Sequence, residues 1–173
     1  VQRAISELNI GKADGSGDLT SDHFVNGGSV LCTHLSMMLS GLFSHGFVPD
    51  ELAVSSLIPI PKLHNGNLSN SDNYRGISLS SIICKILDLV ILRRYVDKLS
   101  TSDQQFGFKP GLGCSEAIFA CKFTIDYFNR KGSSVFAAAL DISKAFDRVD
   151  HGKLFDALEK ANLPLMVVRM LKC

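Results

Sequence analysis

No charge of either sign dominates this sequence. Eighteen Lys and Arg residues stand against seventeen Asp and Glu residues, a net charge of +1. The general phosphate attraction of a strongly basic chain is therefore missing. No CxxC pair occurs: Cys32, Cys84, Cys114, Cys121 and Cys173 are odd in number and widely spaced. That argues against a disulfide framework and a zinc site, and predicts reduced, mostly buried thiols. The five histidines (His23, His34, His45, His64 and His151) show no metal-ligand spacing either. No secretory signal opens the chain, and no apolar run reaches the length of a membrane span. The longest, Ile77 to Leu92, is interrupted by Lys85 and Asp88. Internal repeats and low-complexity tracts are also lacking. What remains is the expectation of an intracellular protein of the nucleus or cytoplasm, not secreted and without a membrane partner.

Present instead are 173 residues of which 46% are hydrophobic, enough for one compact domain with a core. Charge is unevenly spread. Residues 1–50 carry two basic side chains (Arg3, Lys12) against five acidic ones (Glu7, Asp14, Asp18, Asp22, Asp50). The remainder holds 16 basic against 12 acidic, a net of +4, which permits a basic channel downstream. Val1 is not a start methionine, and the chain stops at Cys173 within the apolar, helix-like Leu165–Leu171. A helix stopping there lacks a glycine or polar cap, so a fragment is expected.

Apolar residues at Ala4, Ile5 and Leu8 predict a short helix within Val1–Ile10, followed by a loop from Gly11 to Ser21. Leu31, Leu35, Met38, Leu39 and Leu42 fall near 3.6-residue spacing and predict a helix over 30–43, broken by Gly46 and Pro49. Leu57–Lys62 reads as an edge strand because of Pro59 and Pro61. His64–Asn73 is a hairpin loop or fingertip. Ser80 or Ser81 caps a helix to about Lys98 whose inner face is Ile83, Ile86, Leu87, Val90 and Ile91. Ser115 and Glu116 open another helix, to about Asn129, and 131–134 is a turn. The continuous apolar run Val135–Leu140 suits a strand buried on both faces. Asp150 caps a helix over 151–160, and Pro164 opens the last one. Strands interleaved with helices argue for an α/β or α+β fold.

The segment Ala139–Val149 carries the chemistry. A strand ending in Asp141 would deliver a carboxylate to a sheet rim, where hard cations such as magnesium bind with water completing the octahedron. Backbone N–H groups of Ser143 to Phe146 could cradle a phosphate. Read from the residues alone, Asp141 has an ordinary alternative as a turn or helix cap. For Asp147 a cap or an ion pair with Arg148 or Lys144 is the better reading.

Several blocks in order resemble the reverse transcriptases of the LINE (non-LTR retrotransposon) and group II intron families. Leu140-Asp141 with Lys144-Ala145-Phe146-Asp147-Arg148-Val149 is similar to their first catalytic motif. Asn73-Tyr74-Arg75-Gly76-Ile77-Ser78-Leu79 resembles the fingers motif, Gln105–Gly111 the Gln-x-Gly-Phe-Arg-Pro-Gly block, Ile58–Lys62 the strand before the fingertip, and Gly11–Gly15 the opening loop. The sequence departs from the pattern at Asp14 and Ser16, where prolines are usual, at Gly76 in place of proline, at Lys109 in place of arginine, and at Leu112-Gly113-Cys114-Ser115. The second catalytic motif, an aromatic-x-Asp-Asp hairpin, and the Gln-Gly segment before it are missing.

The resemblance implies a right-hand polymerase, with fingers over 1–130 and a partial palm over 131–173, truncated before the second catalytic motif. It implies an RNA-directed DNA polymerase using Mg2+, with an RNA template, a DNA primer and deoxynucleoside triphosphates as partners. Asp141 would be the catalytic metal ligand, joined by the carbonyl of Ile142. Arg75, Lys62 and the segment Ser143, Lys144, Ala145 and Phe146 would bind the incoming nucleotide, with Phe146 as the gate against a ribose 2′-hydroxyl. Gln105, Gly107, Phe108, Lys109 and Gly111 would line the template–primer path. The bland reading of that block is a loop packed on Phe106 and Phe108; Lys122, Arg130 and Lys131 read as a solvated face. The resemblance leaves oligomeric state open, and one aspartate predicts an inactive fragment. A non-catalytic nucleic-acid-binding relic of a retroelement is the alternative. A generic metal-dependent phosphotransferase would explain Asp141 but neither Arg75 nor the Gln105–Gly111 block.

Overall fold

Leucines at positions 35, 39 and 42 recur on one side of a helix, and that stripe is buried. The computed structural model describes residues 1–13, 19–62, 67–99 and 101–173. They fall into two compact units, residues 1–98 with 155–173 and residues 99–154.

The first unit holds α1 (Gln2–Ile5), α2 (Ser21–Val25), α3 (Gly28–His45), α4 (Asp50–Ala53), β1 (Ser56–Pro61), β2 (Tyr74–Leu79), α5 (Ile82–Tyr95), the end of α7 (His151–Lys160) and α8 (Leu165–Lys172). Its core joins Ala4, Ile5 and Leu8 to Ile82, Ile86, Leu87 and Ile91 of α5, and Leu35, Leu39 and Leu42 of α3 to Val167, Val168 and Met170 of α8. Helix α3 stops at Gly46, which takes the left-handed conformation at φ 62°. A Cβ there would stand 3.2 Å from the carbonyl oxygen of Met166 on α8, so glycine serves both the cap and the close approach. Ser81 caps α5, its hydroxyl accepting from the N–H of Cys84. Glu7 and Arg93 form an ion pair that ties the end of α1 to α5.

β1 and β2 make a two-stranded antiparallel sheet, with Ser56 opposite Leu79 and Pro61 opposite Tyr74. The N–H of Lys62 bonds the carbonyl of Asn73 at 2.8 Å, which sets the phase of the ladder. Pro59 and Pro61 then fall at positions whose N–H would face outward, so neither costs a ladder bond.

The second unit contains α6 (Cys114–Arg130), the irregular segment 133–142 and the turn before α7. Glu116 opens α6 by accepting from the N–H of Gly113 at 2.8 Å, and Gly132 closes it at φ 76°. None of the unit's described residues is buried.

The mixture of helices with a small antiparallel sheet agrees with the α+β expectation. Several local expectations need correction. The run Val135–Leu140 forms neither helix nor strand, and Phe136 and Leu140 are 94% and 97% exposed. Apolar continuity marks a strand meant for burial, but no described strand is its neighbour. The thiols are not mostly buried: Cys114, Cys121 and Cys173 are exposed, and Cys32 and Cys84 half-buried, although all five are free. The inner face of α5 includes Ile82, with Ile83 and Val90 only half-buried. The composition-based single core lies wholly in the first unit. Residues 14–18 of the Gly11–Ser21 loop, with Asp14 and Ser16, lie outside the described residues, as does His64.

Candidate functional site

The hairpin carries the first set of candidate residues. Arg75 sits opposite Ile60, so Arg75, Ile60 and Lys62 share one face by the two-residue period of the strands. The Arg75 side chain is exposed, and its guanidinium has no partner among the described residues. Lys62 differs: its ammonium donates to the carbonyl of Asp72 at 2.7 Å. The fingertip is knitted further by Asn73 Nδ2 donating to the carbonyl of Asn67 at 2.8 Å and the Tyr74 hydroxyl to that of Leu68 at 3.0 Å. These bonds brace the described segment 67–74 that leads into Arg75.

The Gln105–Gly111 block lies in the second unit and folds on itself. Gln105 Nε2 donates to the carbonyl of Gly107 at 3.0 Å, and Lys109 Nζ to that of Ser102 at 2.6 Å. Phe108 has φ 61° and is 95% exposed, while Phe106 is half-buried. Gly111 takes φ 73°, a conformation natural to glycine. Of the two rings, Phe106 alone fits the packed-loop reading.

Asp141 and Ile142 end the irregular segment, both exposed, and a turn over 143–148 follows. Lys144 is left-handed at φ 54°, and the turn closes with the N–H of Arg148 on the carbonyl of Lys144 at 3.1 Å. The N–H groups of Ser143, Ala145 and Phe146 have no acceptor among the described residues, and the Phe146 ring is 82% exposed. Asp150 then caps α7, accepting from the N–H of Lys153 at 3.1 Å.

A hard cation needs about six oxygen ligands in octahedral array. Asp141 and the Ile142 carbonyl have the right chemistry but supply two neighbouring donors. Among the described residues no three His, Cys, Asp or Glu side chains gather into a metal-binding group. The donor type fits magnesium; the set is incomplete.

The structure groups Lys62 with Arg75 in the first unit, and the Gln105–Gly111 block with Asp141–Phe146 in the second. It also shows a concavity that the sequence reading passed over. A pocket of about 380 Å³ in the first unit is lined by Leu8, Lys12, Ser80, Ile82, Lys85 and Asp88 among others. The carboxyl of Asp88 is held above the ordinary carboxylate value by desolvation, although part of the side chain remains in water. No ion pair joins Asp88 to either lysine among the described residues. The available signal was Lys85 and Asp88 standing three apart within an otherwise apolar stretch.

No described helix is long and apolar enough to cross a membrane. The chain is similar to proteins of mobile elements. It is 25% identical over 119 residues to the Retrovirus-related Pol polyprotein from type-2 retrotransposable element R2DM of Drosophila melanogaster, covering 69% of this chain and 11% of that protein. It is 27% identical to the uncharacterized 149 kDa protein of transposon TX1 from Xenopus laevis, covering 99% of this chain and 13% of that one. With the RNA-directed DNA polymerase from mobile element jockey of Drosophila melanogaster the identity is 30%, over 71% of this chain and 14% of the other. The chain thus spans only about an eighth of the length of these relatives. Residues 60–172, which hold Lys62, Arg75, the Gln105–Gly111 block and the Asp141 turn, match the reverse transcriptase family, and the chain belongs to that family of RNA-dependent DNA polymerases.

Proposed function

We propose that this chain forms the nucleotide-clamping part of a polymerase that copies an RNA template into DNA, with fingers over 1–130 and part of the palm over 131–173. The observation that carries the reading is Arg75: a guanidinium without a partner among the described residues, on a strand entered from the braced segment 67–74. A planar fork suits the oxygens of a triphosphate, and little ordering is left to be done on binding. Lys62 keeps donors beyond the one given to Asp72 and serves as a second phosphate contact.

In the second unit, the N–H groups of Ser143, Ala145 and Phe146 offer a phosphate-binding set of their own for the nucleotide, with Lys144 at the left-handed position of the turn. The ring of Phe146 excludes a ribose 2′-hydroxyl and so selects deoxynucleotides. Gln105, Gly107, Phe108, Lys109 and Gly111 line the template–primer path. Asp141 and the Ile142 carbonyl would hold magnesium together with oxygen ligands from outside the described residues. When bound, that metal supplies charge stabilisation for the attacking 3′-oxygen and the leaving pyrophosphate.

RNA-templated primer extension tests the reading. The longer protein carrying this sequence, given magnesium and deoxynucleotides, extends a DNA primer; failure to extend under any template would contradict it. The 173-residue chain alone gives no product, because two neighbouring donors do not make a metal centre. Clear extension by the short chain would sink that half.

A further inference from the structure

The pocket beside α5 has a mixed chemistry that a phosphate alone would not explain. Lys12 and Lys85 bring two ammonium groups with no partner among the described residues, and the hydroxyl of Ser80 has none either. Such a set recognises a phosphodiester. Asp88, on the same helix as Lys85, repels a phosphate but accepts from a sugar hydroxyl. Its exposed carboxyl lines the same pocket and has no cation partner among the described residues, so it is open to a hydroxyl donor. Buried Leu8 and Ile82 give the pocket an apolar wall. At about 380 Å³ it is near the small end of ligand pockets and admits one sugar-phosphate unit rather than a duplex.

We propose that this pocket holds one ribose-phosphate unit of a single-stranded RNA, with Lys12, Lys85 and Ser80 on the phosphate and Asp88 on the 2′-hydroxyl. It deepens the reading above, resting on it for RNA as the strand met, and adds a site that tells RNA from DNA by its hydroxyl. Neither Arg75 nor Asp141 is among the residues that line it.

The test is fluorescence anisotropy of the 173-residue chain with a 12-mer RNA and the same sequence as DNA across a salt series, with AMP as competitor. The chain binds the RNA more tightly. Lys12→Ala with Lys85→Ala weakens RNA binding roughly tenfold or more and flattens the slope of log affinity against log salt by about 1.4, as two lost single-strand phosphate contacts require. Lys12→Arg with Lys85→Arg restores most of the binding. Asp88→Ala brings the RNA-to-DNA ratio to about one. Equal affinity of the unmodified chain for the two strands would overturn the proposal, as would binding indifferent to the lysines. AMP competing as strongly as the 12-mer would overturn the strand as the source of the ligand. The two readings fail separately: a longer protein that does not extend primers, beside a short chain with the RNA preference, refutes the polymerase alone. Extension without that preference refutes the pocket alone.

Discussion

Pro59 stands directly across the hairpin from Gly76, at a rung where neither residue directs its backbone nitrogen toward the other strand. The next rung, Ile58 with Ile77, is a hydrogen-bonded one. Gly76 occupies the place of the proline in the fingers motif that this stretch resembles, and this geometry admits either residue.

Gly76→Pro therefore keeps the hairpin paired, at the cost of moving Leu57, whose Cδ1 lies 3.0 Å from where a Cβ would stand. Ile77→Pro removes a ladder donor and costs about 3 kcal/mol. Amide exchange at Ile58 and Ile60 distinguishes them: protection is retained in the first variant and falls roughly a hundredfold in the second. Equal loss in both would show that the ladder is phased otherwise.

Asp88 links stability to pH. Its folded-state carboxyl titrates above the ordinary value of 3.8 because of desolvation. The folded chain therefore holds the proton more tightly than the unfolded chain, and ionisation of Asp88 opposes folding. Asp88→Asn should raise stability at neutral pH. That advantage shrinks as pH falls through the raised value and vanishes below the unfolded one. Urea melts at neutral and acidic pH check the sign, and a variant less stable at neutral pH would contradict it.

The two units should differ in protection. Ile86 and Val168 are fully enclosed in the first, whereas α6 in the second buries nothing and shows Phe119, Phe123 and Tyr127 at 52–70% exposure. In the isolated chain, amides of α6 should exchange roughly a hundredfold faster than those of α5, because few buried contacts oppose local opening. Comparable protection in both helices would refute this.

These contrasts show what the residue pattern could carry. The helix after Ser81, its cap and its inner residues Ile86, Leu87 and Ile91 were legible because period and cap agree locally. So was the strand with Pro59 and Pro61, whose prolines limit it to an edge. Val135–Leu140 was not, because apolar content measures the demand for burial and not the presence of a neighbour. Arg75, Asp141 and the turn after it were visible as motifs. That Lys62 and Lys109 fold back onto carbonyls of Asp72 and Ser102 was not, since a lysine's partner is fixed only by the loop around it. The pocket was hidden because Lys12 and Asp88 meet only through the fold.

Arg75 gives a kinetic prediction. In the longer protein, Arg75→Ala should raise the KM for deoxynucleoside triphosphates about 10- to 100-fold, the span expected for losing a charge-assisted hydrogen bond. Arg75→Lys should recover only part, because an ammonium lacks the fork. Steady-state kinetics with each nucleotide varied would show it; an unchanged KM would remove Arg75 from the site.

Asp141 bears on the central claim most directly. RNA-templated primer extension should be measured for the longer protein and for its Asp141→Asn variant, with circular dichroism to confirm that both fold. The variant should lose extension while still binding template and primer, because a neutral amide replaces the carboxylate that a hard cation requires. Extension at an undiminished rate by a folded Asp141→Asn protein would contradict the assignment of this site.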